Sequence, residues 1–192
     1  MIIFDIGANN GGSCMHFAKN ANNIVYAFEP TPYLLETYLY PNQKENYIIH
    51  PIAVSDFDGE ATFNIAGQQD WGCSSLNNFS KDLESTWPGR TDFKVTESIQ
   101  VEVTRMDTFL NSAEIKEIDF LHCDTQGSDL KVLKGFGEYI NIIKEGEVEV
   151  FKQNPLYEES DNSMEMMEEF LLKNNFQITS INSNDRHDNE FN

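Results

Sequence analysis

Directly behind a short apolar run, Ile2-Ile3-Phe4, three glycines fall close together, Gly7, Gly11 and Gly12. The run reads as a buried strand ending at Asp5, and a helical pattern begins at Ser13, with Cys14, Phe17 and Ala18 on one face. Strand, glycine turn and helix together bring backbone N–H groups and a helix N-terminus up against a ligand. Glycine allows the positive φ and close main-chain approach that such a turn needs. The spacing is D-x-G-x-x-x-G, from Asp5 through Gly7 to Gly11. It is neither the dinucleotide spacing G-x-G-x-x-G nor the phosphate loop G-x-x-x-x-G-K-[ST], which speaks against a nicotinamide enzyme. An acid at the strand end suits a ligand with a positive amino group better than a pyrophosphate. The plain alternative is a tight turn that binds nothing.

A second strand, Ile24–Phe28, runs into Glu29-Pro30, and Glu29 lies 22 residues past Gly7. An acid there is placed to accept hydrogen bonds from two ribose hydroxyls. Thr31 and Pro32 read as the cap and first position of the next helix. Tyr47–Val54 reads as a third strand, and Pro51 inside it suggests a bend or edge exposure. After a turn at Ser55–Gly59, Ala61–Ile65 and Ile99–Val103 read as a hairpin insert. Between them, residues 66–97 carry Trp71 and Trp87 and read as a lid, or as a loop those tryptophans anchor to the core.

A short helix starts at Met106–Leu110, and Ile118–Asp124 is another strand ending in an acid. Thr125-Gln126-Gly127 turns the chain and Ser128 caps a helix with Leu130, Leu133 and Phe136 in its stripe. Gly146–Phe151 is a strand bearing Glu147 and Glu149; Met164, Met167 and Leu171 mark a helix, and Phe176–Ile181 a last strand. The polar stretch 182–192, with His187, is expected to fray.

This alternation predicts a single α/β domain over residues 1–181, Rossmann-like, with a mostly parallel sheet, helices on both faces and a hairpin insert between strands 3 and 4. Ligands in such sheets bind beyond the carboxyl ends of the strands. Asp5, Glu29, Asp124 and Glu149 are expected around one crevice there. With 32 acidic against 13 basic residues, the formal charge is −19, which disfavours nucleic acid and anionic membrane surfaces as partners. Three cysteines without a C-x-x-C pair make neither a disulfide framework nor a zinc motif. Asp5 breaks the N-terminal apolar run before it resembles a signal peptide, and no run approaches the ~20 residues of a membrane span. A cytoplasmic protein is the expectation; oligomeric state is not fixed by these features.

The motifs in their order resemble the FkbM family of S-adenosylmethionine-dependent methyltransferases. The resemblance rests on Asp5-Ile6-Gly7-Ala8-Asn9-Asn10-Gly11, Ala27-Phe28-Glu29-Pro30, Ala53-Val54-Ser55-Asp56, Ser74-Ser75-Leu76, Arg105-Met106-Asp107, Asp119 through Gly127, Val132-Leu133-Lys134-Gly135, Glu147 through Phe151 and Pro155-Leu156-Tyr157. It implies a class I methyltransferase fold. Donor contacts would fall at Asp5, Gly7, Ala8, Asn9, Gly11 and Glu29. The adenine would lie near Ala53, Ser55 and Asp56, with Asp124 beside the methionine moiety. Such enzymes typically methylate hydroxyls of sugars or natural products, so a small-molecule or glycan acceptor is implied. His122 stands where the family usually has lysine, and Asn175 where it usually has glycine. Relatives commonly carry an N-terminal extension over the cleft, so a catalytically inactive donor-binding interaction module is the alternative.

Methyl transfer from a sulfonium needs the acceptor held in line, and a hydroxyl acceptor needs a base. Asp124, Glu149 and His122 are the candidates. Mg²⁺ on Asp124, Asp129 and Glu149 would suit an oxygen ligand set, but the same residues are accounted for as donor contact, helix cap and strand-end charge.

Overall fold

The computed structural model describes residues 1–67, 72–81, 83, 87–89, 93–152, 156–158, 160–183 and 189–192. Its first strand, β1 (Ile2–Ile6), lies at the centre of a five-stranded sheet with β2 (Ile24–Phe28), β3 (Tyr47–His50), β7 (Phe120–Cys123) and β8 (Gly146–Val148). The order is β3-β2-β1-β7-β8, and all four pairings are parallel. Parallel sheets of this kind are covered on both faces. Phe4, Ile6, Phe28, Leu121 and Cys123 pack into one core with α2 (Met106–Ala113) and α3 (Asp129–Gly135). Ile3, Val25, Ala27, Tyr47 and Ile49 pack into another with Cys14, Ala18, Leu35 and Leu39. The expected Rossmann-like α/β architecture is therefore present, with an insert after the third strand.

That insert pairs β5 (Gly59–Ala66) antiparallel with β6 (Val95–Thr104), a longer hairpin than the sequence pattern marks out. Pro51 ends β3, because proline has no N–H to donate to a ladder. The chain then enters β4 (Ala53–Val54), which leaves the main sheet and pairs in parallel with β6. The expected single strand over Tyr47–Val54 is thus two strands in two sheets.

The helix expected from Ser13 is instead one 3₁₀ segment, Met15–Lys19. Asn20 Oδ1 accepts from the Asn22 N–H at 3.0 Å, a side-chain turn that competes with helix and returns the chain to β2. After Glu29, α1 (Pro32–Leu34) continues as a π-helical turn, Leu35–Leu39, and a 3₁₀ turn, Tyr40–Asn42. The last helix, α4 (Met164–Lys173), starts where Ser163 Oγ accepts from Met166 N at 3.2 Å.

Phe176–Ile181 forms no ladder, contrary to expectation. Asn175 adopts φ +65° and Phe176 N–H bonds back to Leu171 O, so the helix end turns the chain off the sheet edge. Further along, β10 (Glu190–Phe191) pairs antiparallel with β9 (Val150–Phe151), and Asn182 and Asn192 exchange two backbone hydrogen bonds. In the long insert, Trp87 is 2% exposed and stands edge-on to Phe93 beside Phe151 and Tyr157, so it anchors the loop. Trp71, Pro155 and His187 lie outside the described residues. Among the described residues no helix is long and apolar enough to cross a membrane.

Candidate active site

Register builds the site. Ile6 pairs with both Phe28 and Cys123, so the next residues of three adjacent strands, Gly7, Glu29 and Asp124, emerge side by side at the carboxyl edge. Gly7 takes φ +81°, and a side chain there would run into the Asp124 carbonyl. The turn that follows hooks its Gly7 and Ala8 N–H groups onto Phe28 O, both at 3.0 Å. Asn9 continues it at φ +50°.

Glu29 ties this turn to the end of β2. Its Oε2 accepts from Asn9 N at 2.9 Å and its Oε1 from Thr31 N at 2.8 Å. Burial pushes its carboxyl above the usual range, against the pull of the Thr31 and Asn9 hydrogen bonds. Thr31 occupies the helix N-cap position, but its buried side chain caps no helix N–H.

Across the cleft, Gln126 at φ +56° and Gly127 at φ +86° make the turn out of β7. The Gln126 amide donates to Asp124 Oδ1 at 2.7 Å and to Glu149 Oε2 at 3.1 Å, so one NH₂ group bridges two carboxylates. Tyr157 fixes the amide's orientation, its hydroxyl lying 2.8 Å from Gln126 Oε1 and 2.9 Å from Cys73 O. Ser75 Oγ donates to Gln126 O at 2.7 Å, which fastens the insert to this turn. Burial pushes the Asp124 carboxyl up; the Gln126 bond and the nearby His122 oppose it.

Behind Asp124, Asp129 is fully buried in the first turn of α3. Its Oδ1 accepts from Thr125 N at 2.9 Å and its Oδ2 from Asn162 Nδ2 at 2.9 Å. Burial and the Asp124 charge push its carboxyl up to about 7. The Asn162 amide also donates to Glu149 O at 2.8 Å, and its oxygen accepts from Leu130 N at 3.0 Å. The Ser128 hydroxyl does not cap α3; it accepts from Asn77 Nδ2 at 2.9 Å.

Of the residues singled out from the sequence, Gly7, Asn9, Glu29, Ala53 and Asp124 line one cleft. Ala8 and Gly11 lie behind it: Ala8 is buried, and a side chain on Gly11 would meet Met15, Tyr47 and Leu39. Ser55 and Asp56 are not among its lining residues: Ser55 N–H bonds to Thr104 O and Asp56 O accepts from Arg105 Nη1. Only two of the four strand-end carboxylates, Glu29 and Asp124, face the cleft. Glu149 is reached through Gln126, and Asp5 turns to the other face, where it lies 3.0 Å from His122 Nδ1. Burial pulls the His122 imidazole down, but the Asp5 hydrogen bond and charge outweigh it and hold it above its usual value. Thr31, Phe63, Ser74, Leu76, Thr125 and Gln126 also line the cleft. Sequence reasoning gave none of them a site role, although Ser74, Leu76, Thr125 and Gln126 fall inside recognised motifs. Among the described residues Asp124, Asp129 and Glu149 do not converge as a group of metal-ligating atoms.

The arrangement offers a rigid glycine turn, a buried carboxylate, Glu29, that opens on the cleft, and a half-buried one, Asp124, joined through Gln126 to the buried Glu149. No curated protein and no solved structure matched the chain. A family model does: the methyltransferase FkbM domain matches residues 5–178, and the chain belongs to that family.

Proposed function

We propose that the chain transfers a methyl group from S-adenosylmethionine to a hydroxyl of a sugar, glycan or other small molecule. The observation carrying this reading is the alignment of Gly7, Glu29 and Asp124 along one sheet edge, with Glu29 buried but opening on the cleft. The residues present fit the donor. Each Glu29 oxygen accepts one backbone N–H and has a lone pair left for a ribose hydroxyl.

When bound, the donor supplies a methyl group on a sulfonium, which is already a good leaving group. Glu29 would hold the ribose, the Gly7–Asn9 turn would give the amino-acid part close backbone approach, and Ala53 would border the base. Asp124 would lie beside the methionine moiety and would receive the proton that the acceptor hydroxyl loses, with Glu149 joined to it through Gln126. Raised affinity for a proton makes Asp124 a better base. Gln126 keeps the two carboxylates apart and oriented, which is catalysis by positioning. His122 is bonded to Asp5 on the other face, so Asp124 is the stronger choice for the base.

Isothermal titration with S-adenosylmethionine and with its demethylated product tests donor binding, and mass spectrometry of a panel of glycans and small hydroxylated acceptors tests transfer. Binding of both compounds, with transfer lost in Asp124→Asn, supports the assignment. Absence of binding at millimolar concentration overturns it.

A further inference from the structure

Beneath the glycine turn, away from the cleft, three chemically different side chains meet. Asp5 and His122 are register partners on β1 and β7, and Cys14 leads into the 3₁₀ segment that covers this face. One ligand atom from each, a carboxylate oxygen, a ring nitrogen and a sulfur, lies within 4.8 Å of the other two. Asp5 is completely buried. Its Oδ1 meets His122 Nδ1 at 3.0 Å, while its Oδ2 has no hydrogen-bond partner. A buried carboxylate oxygen without a partner is costly and rare, and here it belongs to a group with two other metal-ligating atoms beside it.

We propose that Asp5, Cys14 and His122 form a binding site for one divalent transition-metal ion, Zn²⁺ by ligand chemistry. One oxygen, one nitrogen and one sulfur donor suit Zn²⁺ and exclude the hard cations Mg²⁺ and Ca²⁺, which take oxygen throughout. Charge balances: a dication meets the Asp5 carboxylate, the Cys14 thiolate and a neutral imidazole, leaving no net charge in a buried place. On binding, the Cys14 thiol gives its proton to solvent and its sulfur lone pair to the metal. The fourth tetrahedral position is not filled by this triad. His122 keeps 13% of its side chain in solvent, which gives the ion a way in. Asp5 precedes the glycine turn and Cys14 follows it, so the ion clamps both ends of the turn and joins them to β7. The cluster is assembled from three separate stretches of chain, which is why cysteine spacing alone shows no zinc motif.

The full chain, stripped with chelator, is titrated with Zn²⁺ and Co²⁺ separately. One ion per chain is expected at micromolar metal, with a thiolate-to-cobalt charge-transfer band in the near ultraviolet for Co²⁺ and a raised melting temperature for Zn²⁺. Cys14→Ser should abolish the band and weaken Zn²⁺ by about tenfold or more, whereas Cys73→Ser should keep both. Should Cys14→Ser fail to fold, zinc-edge X-ray absorption of the unmodified chain decides, since it reports one sulfur in the shell if the assignment is right. Lack of stoichiometric binding, a sulfur-free shell, or a band that survives in folded Cys14→Ser overturns the proposal. Donor binding is measured separately and neither result depends on it.

Discussion

Replacing Glu29 by glutamine keeps the shape of the side chain and exchanges one acceptor oxygen for a donor NH₂. In the structure both oxygens are occupied, by Asn9 N–H at 2.9 Å and Thr31 N–H at 2.8 Å, and the residue is 4% exposed. Glutamine can satisfy one of these N–H groups and must turn its NH₂ toward the other. One charge-assisted bond is lost and a buried donor faces a donor, which costs about 1.5–3 kcal/mol. Relief of the desolvation that pushes the Glu29 carboxyl up offsets part of this and places the effect at the lower end. For a chain of this size each kcal/mol moves the melting temperature by about 2–4 °C, so a drop of roughly 3–8 °C is expected. The same exchange removes one of two acceptors for the ribose, so S-adenosylmethionine affinity should fall by a further 1–3 kcal/mol, about 5- to 150-fold. Differential scanning fluorimetry reads the first number and titration calorimetry the second. An unchanged melting temperature would refute the role of Glu29 in holding the turn. A dissociation constant within about twofold of the original would refute its role in holding the donor.

The Asp129 carboxyl sits at about 7 against an ordinary 3.8, so between those values the folded chain binds more protons than the unfolded one. Its contribution is complete in acid and is lost as pH rises toward neutral, and Asp129→Asn should flatten that slope in melting curves taken across the range. Gly7→Ala combines a left-handed backbone with a collision against the Asp124 carbonyl; a loss of about 3 kcal/mol or more is expected in urea unfolding. Asn162→Ala strands Leu130 N–H and removes the amide from Asp129 and from Glu149 O. It should cost about 2–4 kcal/mol by the same assay, with donor affinity reduced because Asp124 loses its support.

The central strands are legible because buried parallel strands read as short apolar runs, and their acidic ends are legible because the sheet presents those ends together. What sequence could not fix was parity. Ending β1 at Asp5 places that side chain at the ligand edge, whereas the strand runs one residue further, to Ile6. Side chains alternate along a strand, so one residue decides the face. Ile6 therefore borders the cleft and Asp5 meets His122 behind it. The 3₁₀ segment at Met15–Lys19 was hidden for a related reason, since its apolar spacing satisfies a helix while the asparagines after it allow too few residues for one. Gln126, Tyr157 and Asn162 each reach a partner 13 to 84 residues away, a distance no local pattern reports.

These long contacts explain how a loop-built site holds its shape. The Asn162 amide joins the start of α3, through Leu130 N–H and the Asp129 carboxyl, to the Glu149 carbonyl between β8 and β9. Asp129 in turn holds Thr125 N–H, so the turn bearing Asp124 cannot shift without breaking a buried network. A buried network with its groups paired is rigid, because opening any bond exposes a costly orphan. Gln126 passes that rigidity forward to the two carboxylates, and Ser75 and Tyr157 pass it to the insert.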